Sequence, residues 1–145
     1  MLMLSKSCEY GMRAVVYIAL NSSKDHKVGI KDIAESLEFP APFLAKILQS
    51  LVKHKLIAST KGPNGGFFLE KKPEKISMLN IMEAIDGLAY FKECGMGFKK
   101  CSDKRPCPLH DSFKVYRDNI KLAFSMRTLD VIINEINDNK VFIHK

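Results

Sequence analysis

Residues 30–69 read IKDIAESLEFPAPFLAKILQSLVKHKLIASTKGPNGGFFL. Ile30, Ile33, Ala34 and Leu37 recur at helical spacing, which predicts a short amphipathic helix. Glu38-Phe39-Pro40-Ala41-Pro42 ends it, because a residue before proline is pushed out of the α region. A second helix follows, with Phe43, Leu44, Ile47, Leu48, Leu51 and Val52 on one side and Ala45, Lys46, Gln49, Ser50 and Lys53 on the other. Two short helices joined by a tight turn make a helix-turn-helix. Leu56–Lys61 then reads as a strand and Phe67–Leu69 as its partner, joined by Gly62-Pro63-Asn64-Gly65-Gly66, residues that suit a tight turn. The predicted fold class is therefore mainly α with a small β-hairpin wing, a winged helix-turn-helix.

Working outward, Ser7–Ser22 places Cys8, Met12, Val15, Val16, Ala19 and Leu20 on one helical face, so Cys8 is expected in the core. Asn21–Lys27 and Lys71–Lys75 are polar connectors. Ser77 can cap a helix carrying Leu79, Ile81, Met82 and Ile85 that stops near Gly87. A long helix bears an apolar stripe of Phe113, Tyr116, Ile120, Ala123 and Phe124, with Leu122 and Met126 beside it; Thr128 then caps a last helix with Leu129, Ile132, Ile133 and Ile136. A winged helix is complete before these elements, so the long C-terminal helix needs a surface to bury against, and a twofold partner supplies one. The expected organisation is a DNA-binding domain over 1–75, a linker helix and cysteine loop over 76–111, and dimerisation helices over 112–145.

The chain of 145 residues carries a net charge of +7. Six lysines against one acid lie between Ala41 and Lys72, a basic concentration on the winged unit that suits a polyanion such as double-stranded DNA. Lys46, Gln49, Ser50 and Lys53 on the outer face of the second helix, with Lys61 and Asn64 on the wing, are the candidate DNA contacts. No apolar run suits a membrane helix, no export segment is evident, and a cytoplasmic protein is expected. No nucleophile–base pair or phosphate-cradling loop stands in a plausible context, so an enzyme is not expected.

Cys94-Gly-Met-Gly-Phe-Lys-Lys-Cys101-Ser-Asp-Lys-Arg-Pro-Cys107-Pro-Leu-His110 holds three of the four cysteines and one of the four histidines. Soft thiolates with one imidazole suit an iron–sulfur cluster, and three cysteines with a histidine also close a tetrahedral zinc site. Lys99, Lys100, Lys104 and Arg105 would stabilise thiolates, as would a helix starting near Pro108. His26, His54 and His144 have no companions and read as surface residues.

These features together resemble the bacterial Rrf-two family of winged-helix regulators. The likeness runs through Ser5-Lys6…Tyr10-Gly11-Met12-Arg13-Ala14, Leu44…Leu48…Leu51, the wing Lys61–Phe67, the triplet Cys94/Cys101/Cys107, and Thr128-Leu129. In the cluster-binding branch, of the IscR, NsrR and RirA types, the resemblance implies that those three cysteines ligate a 2Fe–2S or 4Fe–4S cluster. The fourth ligand there is a histidine after the third cysteine or an acid near the partner subunit's N-terminus, and this chain offers His110 and Glu9. The first cysteine gap is one residue longer than the usual family pattern. Where the IscR type has a glutamate in its recognition helix this chain has Ala45, so that switch does not carry over. The reading implied is a homodimeric, sequence-specific DNA-binding regulator sensing iron–sulfur status, redox state or nitric oxide. The alternative is a metal-free or zinc-structured repressor that answers to a small molecule or a partner enzyme.

Overall fold

A computed structural model describes residues 4–144. Helix α1 (Lys6–Asn21) begins where the Ser5 hydroxyl accepts a hydrogen bond from the Cys8 amide at 3.0 Å. Its buried set is Cys8, Gly11, Ala14, Val15, Val16 and Ile18, a broader surface than the expected stripe, in which Met12, Ala19 and Leu20 are only half covered. The reason is position: α1 lies at the centre, with the other helices of the domain and the wing packed around it. Gly11 permits the closest of these approaches, since a Cβ there would sit 2.1 Å from Ile85 Cδ1.

Helix α2 (Ile30–Leu37) opens with the Gly29 amide donating to Asp32 Oδ2 at 3.3 Å and closes at Glu38, whose φ of 57° is left-handed. Helix α3 (Ala41–Lys53) carries Pro42 in its first turn, where a missing N–H costs nothing, and buries Leu44, Ile47, Leu48 and Leu51. The wing is the antiparallel pair β1 (Ile57–Thr60) and β2 (Gly66–Leu69), in register from Ile57 opposite Leu69 to Thr60 opposite Gly66. Val28, just beyond the first polar connector, adds a third row. Its amide donates to the Phe67 carbonyl at 3.0 Å, and the Phe67 amide returns the bond at 2.7 Å. This row needs glycine at 66, because a Cβ would lie 2.6 Å from the Val28 carbonyl oxygen and φ there is +147°.

Helix α4 (Met78–Ile85) has the expected Ser77 cap. The Ser77 hydroxyl accepts from the Asn80 amide at 3.2 Å, and the Ser77 amide donates to Asn80 Oδ1 at 2.8 Å. After the cysteine loop come α5 (His110–Met126) and α6 (Leu129–Asn137). The expected α5 stripe is split between two faces. Phe113, Arg117, Ile120 and Phe124 turn toward the rest of the chain, whereas Val115, Tyr116, Leu122, Ala123 and Met126 are exposed. Helix α6 packs onto the winged domain. Leu129 and Ile132 belong to the same buried core as Ala14, Val15 and Ile33. The turn into α6 is fixed by a two-way bridge, with Met78 N–H donating to Arg127 O and Leu129 N–H to Ile76 O, both at 2.9 Å. Thr128 stands at the N-cap, but its hydroxyl donates to the Asp130 carboxylate rather than capping a backbone amide.

Truncating Leu129 to alanine empties a fully buried position and is expected to destabilise the winged domain by about 3 kcal/mol. Urea melts of wild type and Leu129→Ala would show this, and a shift below about 1 kcal/mol would mean α6 is not part of the cooperative core.

Candidate functional site

The outer face of α3 is built by spacing. Pro42, Lys46, Gln49 and Lys53 recur along one side and are all exposed, opposite the buried leucines that hold the helix down. Ser50 is half-buried, and its carbonyl accepts from both the His54 amide, at 3.1 Å, and the His54 Nδ1, at 2.8 Å. Lys61 and Asn64 are exposed on the wing, in a turn closed by the Gly65 amide donating to the Gly62 carbonyl at 2.9 Å. Lys27, absent from the expected contacts, stands 5.5 Å from the Phe68 ring centroid at the base of the wing. A convex basic helix beside a basic hairpin matches the shape and charge of a duplex backbone and groove.

The cysteine loop leaves α4 through the 3-10 turn Ala89–Lys92 and returns at the start of α5. It gathers its sulfurs as two pairs. Cys94 Sγ and Cys107 Sγ are 3.5 Å apart, and Cys101 Sγ lies 3.3 Å from His110 Nδ1. The Met96 amide, donating to Cys94 Sγ at 3.4 Å, leads in holding that thiol below its usual range; the Phe98 amide, Cys107 thiol and Gly97 amide add to this and burial opposes it. His110 is buried as the first residue of α5. Its Nε2 lies 2.9 Å from Asp103 Oδ1, and an ionised carboxylate only accepts, so Nε2 donates there and the ring is turned with Nδ1 toward Cys101. Lys114 also donates to Asp103 Oδ1, at 3.0 Å, and with His110 it holds that carboxyl below the ordinary range. A cavity of about 300 Å³ is lined by Phe91, Lys92, Cys101, Asp103, His110, Lys114 and Arg117.

Among the described residues, no three His, Cys, Asp or Glu side chains converge in a geometry that would hold a metal ion. The donor chemistry nevertheless fits one: three thiols, an imidazole oriented by a carboxylate with Nδ1 toward sulfur, and amide and guanidinium N–H groups directed at sulfur. Glu9 is not part of this gathering within the chain. It sits in the first turn of α1 and pairs with Lys6 at 3.3 Å. Two residues outside the sequence reading join the site, Asp103 and Arg117. The only signal for Asp103 was an acid within an otherwise basic loop, and for Arg117 a charge on the inward side of α5.

The model of the Rrf2 (Rrf-two) family, described as "Iron-dependent Transcriptional regulator", matches residues 4–135. A "Putative HTH-type transcriptional regulator" of Aquifex aeolicus is 33% identical, covering 92% of each chain. The "HTH-type transcriptional regulator IscR" of Pectobacterium atrosepticum is 28% identical over 90% of this chain and 79% of its own. Among solved structures, the cysteine regulator CymR of B. subtilis superposes with a TM-score of 0.77 at 19% identity, over 92% of this chain and 98% of its own. The T. potens IscR gives 0.76 at 19% identity, over 97% and 93%. At those identities the structural likenesses show the fold.

Cys8 stands apart from the other cysteines. It is fully buried in the first turn of α1, and burial, aided by the nearby Asp86 carboxylate, pushes its thiol up to about 12. Iodoacetamide at neutral pH is therefore expected to modify the loop cysteines of metal-free protein and to leave Cys8 untouched until denaturant is added. Mass spectrometry of the labelled peptides reads this directly, and early labelling of Cys8 would show that α1 opens in the native state.

Proposed function

The chain belongs to the Rrf2 family of transcriptional regulators, not enzymes, and on that footing we propose that it is a homodimeric DNA-binding regulator whose cysteine loop holds an iron–sulfur cluster. The observation that carries this reading is the gathering of soft donors as two close pairs at the junction of α4 and α5. Cys94, Cys101 and Cys107 would hold the cluster, with His110 as fourth ligand through Nδ1. The cluster would supply a centre responsive to redox state, nitric oxide or iron–sulfur supply.

The chain's own residues account for the rest. Asp103 orients the His110 ring and fixes its tautomer. Lys46, Gln49 and Lys53 face base edges and phosphates, while Lys61 and Asn64 carry the wing to the backbone. The open face of α5, with Val115 60%, Leu122 57% and Met126 68% exposed, is the surface offered to a second copy of the chain. A change in the loop then alters the spacing of two recognition helices. A coupling of about 1.4 kcal/mol suffices for a tenfold change in operator affinity. A structural zinc ion is the second reading, because the same Cys3His set satisfies its tetrahedral preference.

Protein purified without oxygen is expected to be brown and to contain iron and acid-labile sulfide. Colourless protein with stoichiometric zinc, even after attempted reconstitution, would establish the zinc reading instead. In the cluster-bearing protein His110→Ala should shorten the cluster's half-life in air more than Glu9→Ala does. Faster bleaching of Glu9→Ala, with His110→Ala unchanged, would assign the ligand to the partner's first helix.

On the DNA side, Lys46→Ala and Lys61→Ala should weaken operator binding while leaving the melting temperature unchanged. Loss of a phosphate contact at Lys61 lowers affinity for every sequence alike and reduces the salt slope by about one. Unchanged affinity in both variants would mean that another face meets DNA.

A further inference from the structure

Arg117 lies midway along α5 and is 4% exposed. Its Nη1 donates to the Glu93 carbonyl where the loop begins, and its Nη2 donates to Cys101 Sγ at 3.4 Å in the middle of the loop. The guanidinium also lies 5.3 Å from the ring centroid of Phe113, one turn earlier in the same helix. Its Nε–H is buried without an acceptor. Among the described residues no carboxylate forms an ion pair with it. Burying an arginine costs several kcal/mol unless an anion and a full set of acceptors compensate it. Besides the neutral Glu93 carbonyl, the acceptor it meets is the Cys101 sulfur.

We propose that Arg117 is the counter-charge to the anionic group held by the cysteine loop, and the residue through which that group's presence is transmitted to α5. This rests on the iron–sulfur reading above. The basic residues of the loop are less suited to the task. Lys99, Lys100, Lys104 and Arg105 are exposed, so water and salt screen them. Arg117 is shielded, and a charge there acts on its neighbour at low effective dielectric. With the group bound, the guanidinium joins Glu93, Cys101 and α5 into one unit. With the group lost, a buried cation has no counter-charge and is driven toward water, which loosens the loop from the helix that bears the open apolar face. Removing Arg117 should leave the folded domain intact, because the buried core is drawn from α1–α4, the wing and α6.

The test uses full-length reconstituted protein as wild type, Arg117→Met and Arg117→Lys. The readouts are iron and sulfide content, the cluster's midpoint potential, and the ratio of operator affinities between loaded and cluster-free forms. Arg117→Met is expected to shift the potential to more negative values, since a neighbouring positive charge no longer favours the reduced form. Its affinity ratio should collapse toward one, at least a fivefold loss if wild type shows tenfold. Arg117→Lys should keep most of the potential while losing part of the ratio, because lysine retains the charge but not the guanidinium's bridge between Glu93 and Cys101. Wild-type potential and ratio in Arg117→Met would overturn the proposal. Should Arg117→Met take up no cluster, Arg117→Lys decides: loading with a near-native potential supports the counter-charge role, and failure to load refutes it. A wild type that loads no cluster, or binds operator equally in both forms, defeats the functional reading itself.

Discussion

The close packing of α1 on α3 and α4 organises this molecule. At Gly11 a Cβ would fall 2.1 Å from Ile85 Cδ1 and 3.2 Å from Ile47 Cγ2, so the three helices meet there closely enough that any larger residue would make the Ile85 side chain turn aside. Glycine within a helix costs about 1 kcal/mol of intrinsic stability, and the close packing of three helices offsets it. Both functional surfaces hang from this point. Ile47 belongs to the helix whose far side carries Lys46 and Gln49, and Ile85 ends the helix that leads into the cysteine loop. The two are thereby fixed on each other. On the proposed reading, a signal from the loop would then act on the placement of the whole DNA-binding domain rather than by sliding α3 against α1.

Much of the fold could be read along the chain because its signals are local. The repeat from Ile30 to Leu37, the prolines at 40 and 42, and the glycines of the wing each act on the residues beside them, and the observed elements begin and end within a few residues of those marks. What escaped the reading is long-range. Amphipathic α1 and α6 announce an apolar face but not which surface covers it, so neither the encirclement of α1 nor the return of α6 to the core was legible. Val28 gave no sign of pairing with Phe67, which lies beyond α2, α3 and the first wing strand.

The site divides in the same way. Cysteine is scarce enough that three in a short loop declare themselves, and a histidine at the end of that loop shares their significance. Asp103 and Arg117 are charged residues in a chain full of charges, and their only marks in the sequence, an acid in a basic loop and a charge on the inward side of α5, are weak. Only the fold shows that one orients the His110 ring and the other faces a sulfur. The loop they serve is exposed through most of residues 95–106, and none of those residues belongs to the buried core. Few apolar contacts hold it, so reordering it is inexpensive relative to opening the domain. On the proposed reading, low local stability and chemical sensitivity would coincide in one segment.

The bridge between Ser77 and Thr128 makes the segment between them separable from the domain. Because the backbone is pinned where it enters α4 and again where it leaves α5, the intervening loop and long helix form an excursion that starts and finishes at neighbouring points on a finished domain. Lengthening such an excursion adds only a slowly growing closure entropy. A change in the length or chemistry of that excursion therefore leaves its pinned ends, and the winged domain they belong to, in place.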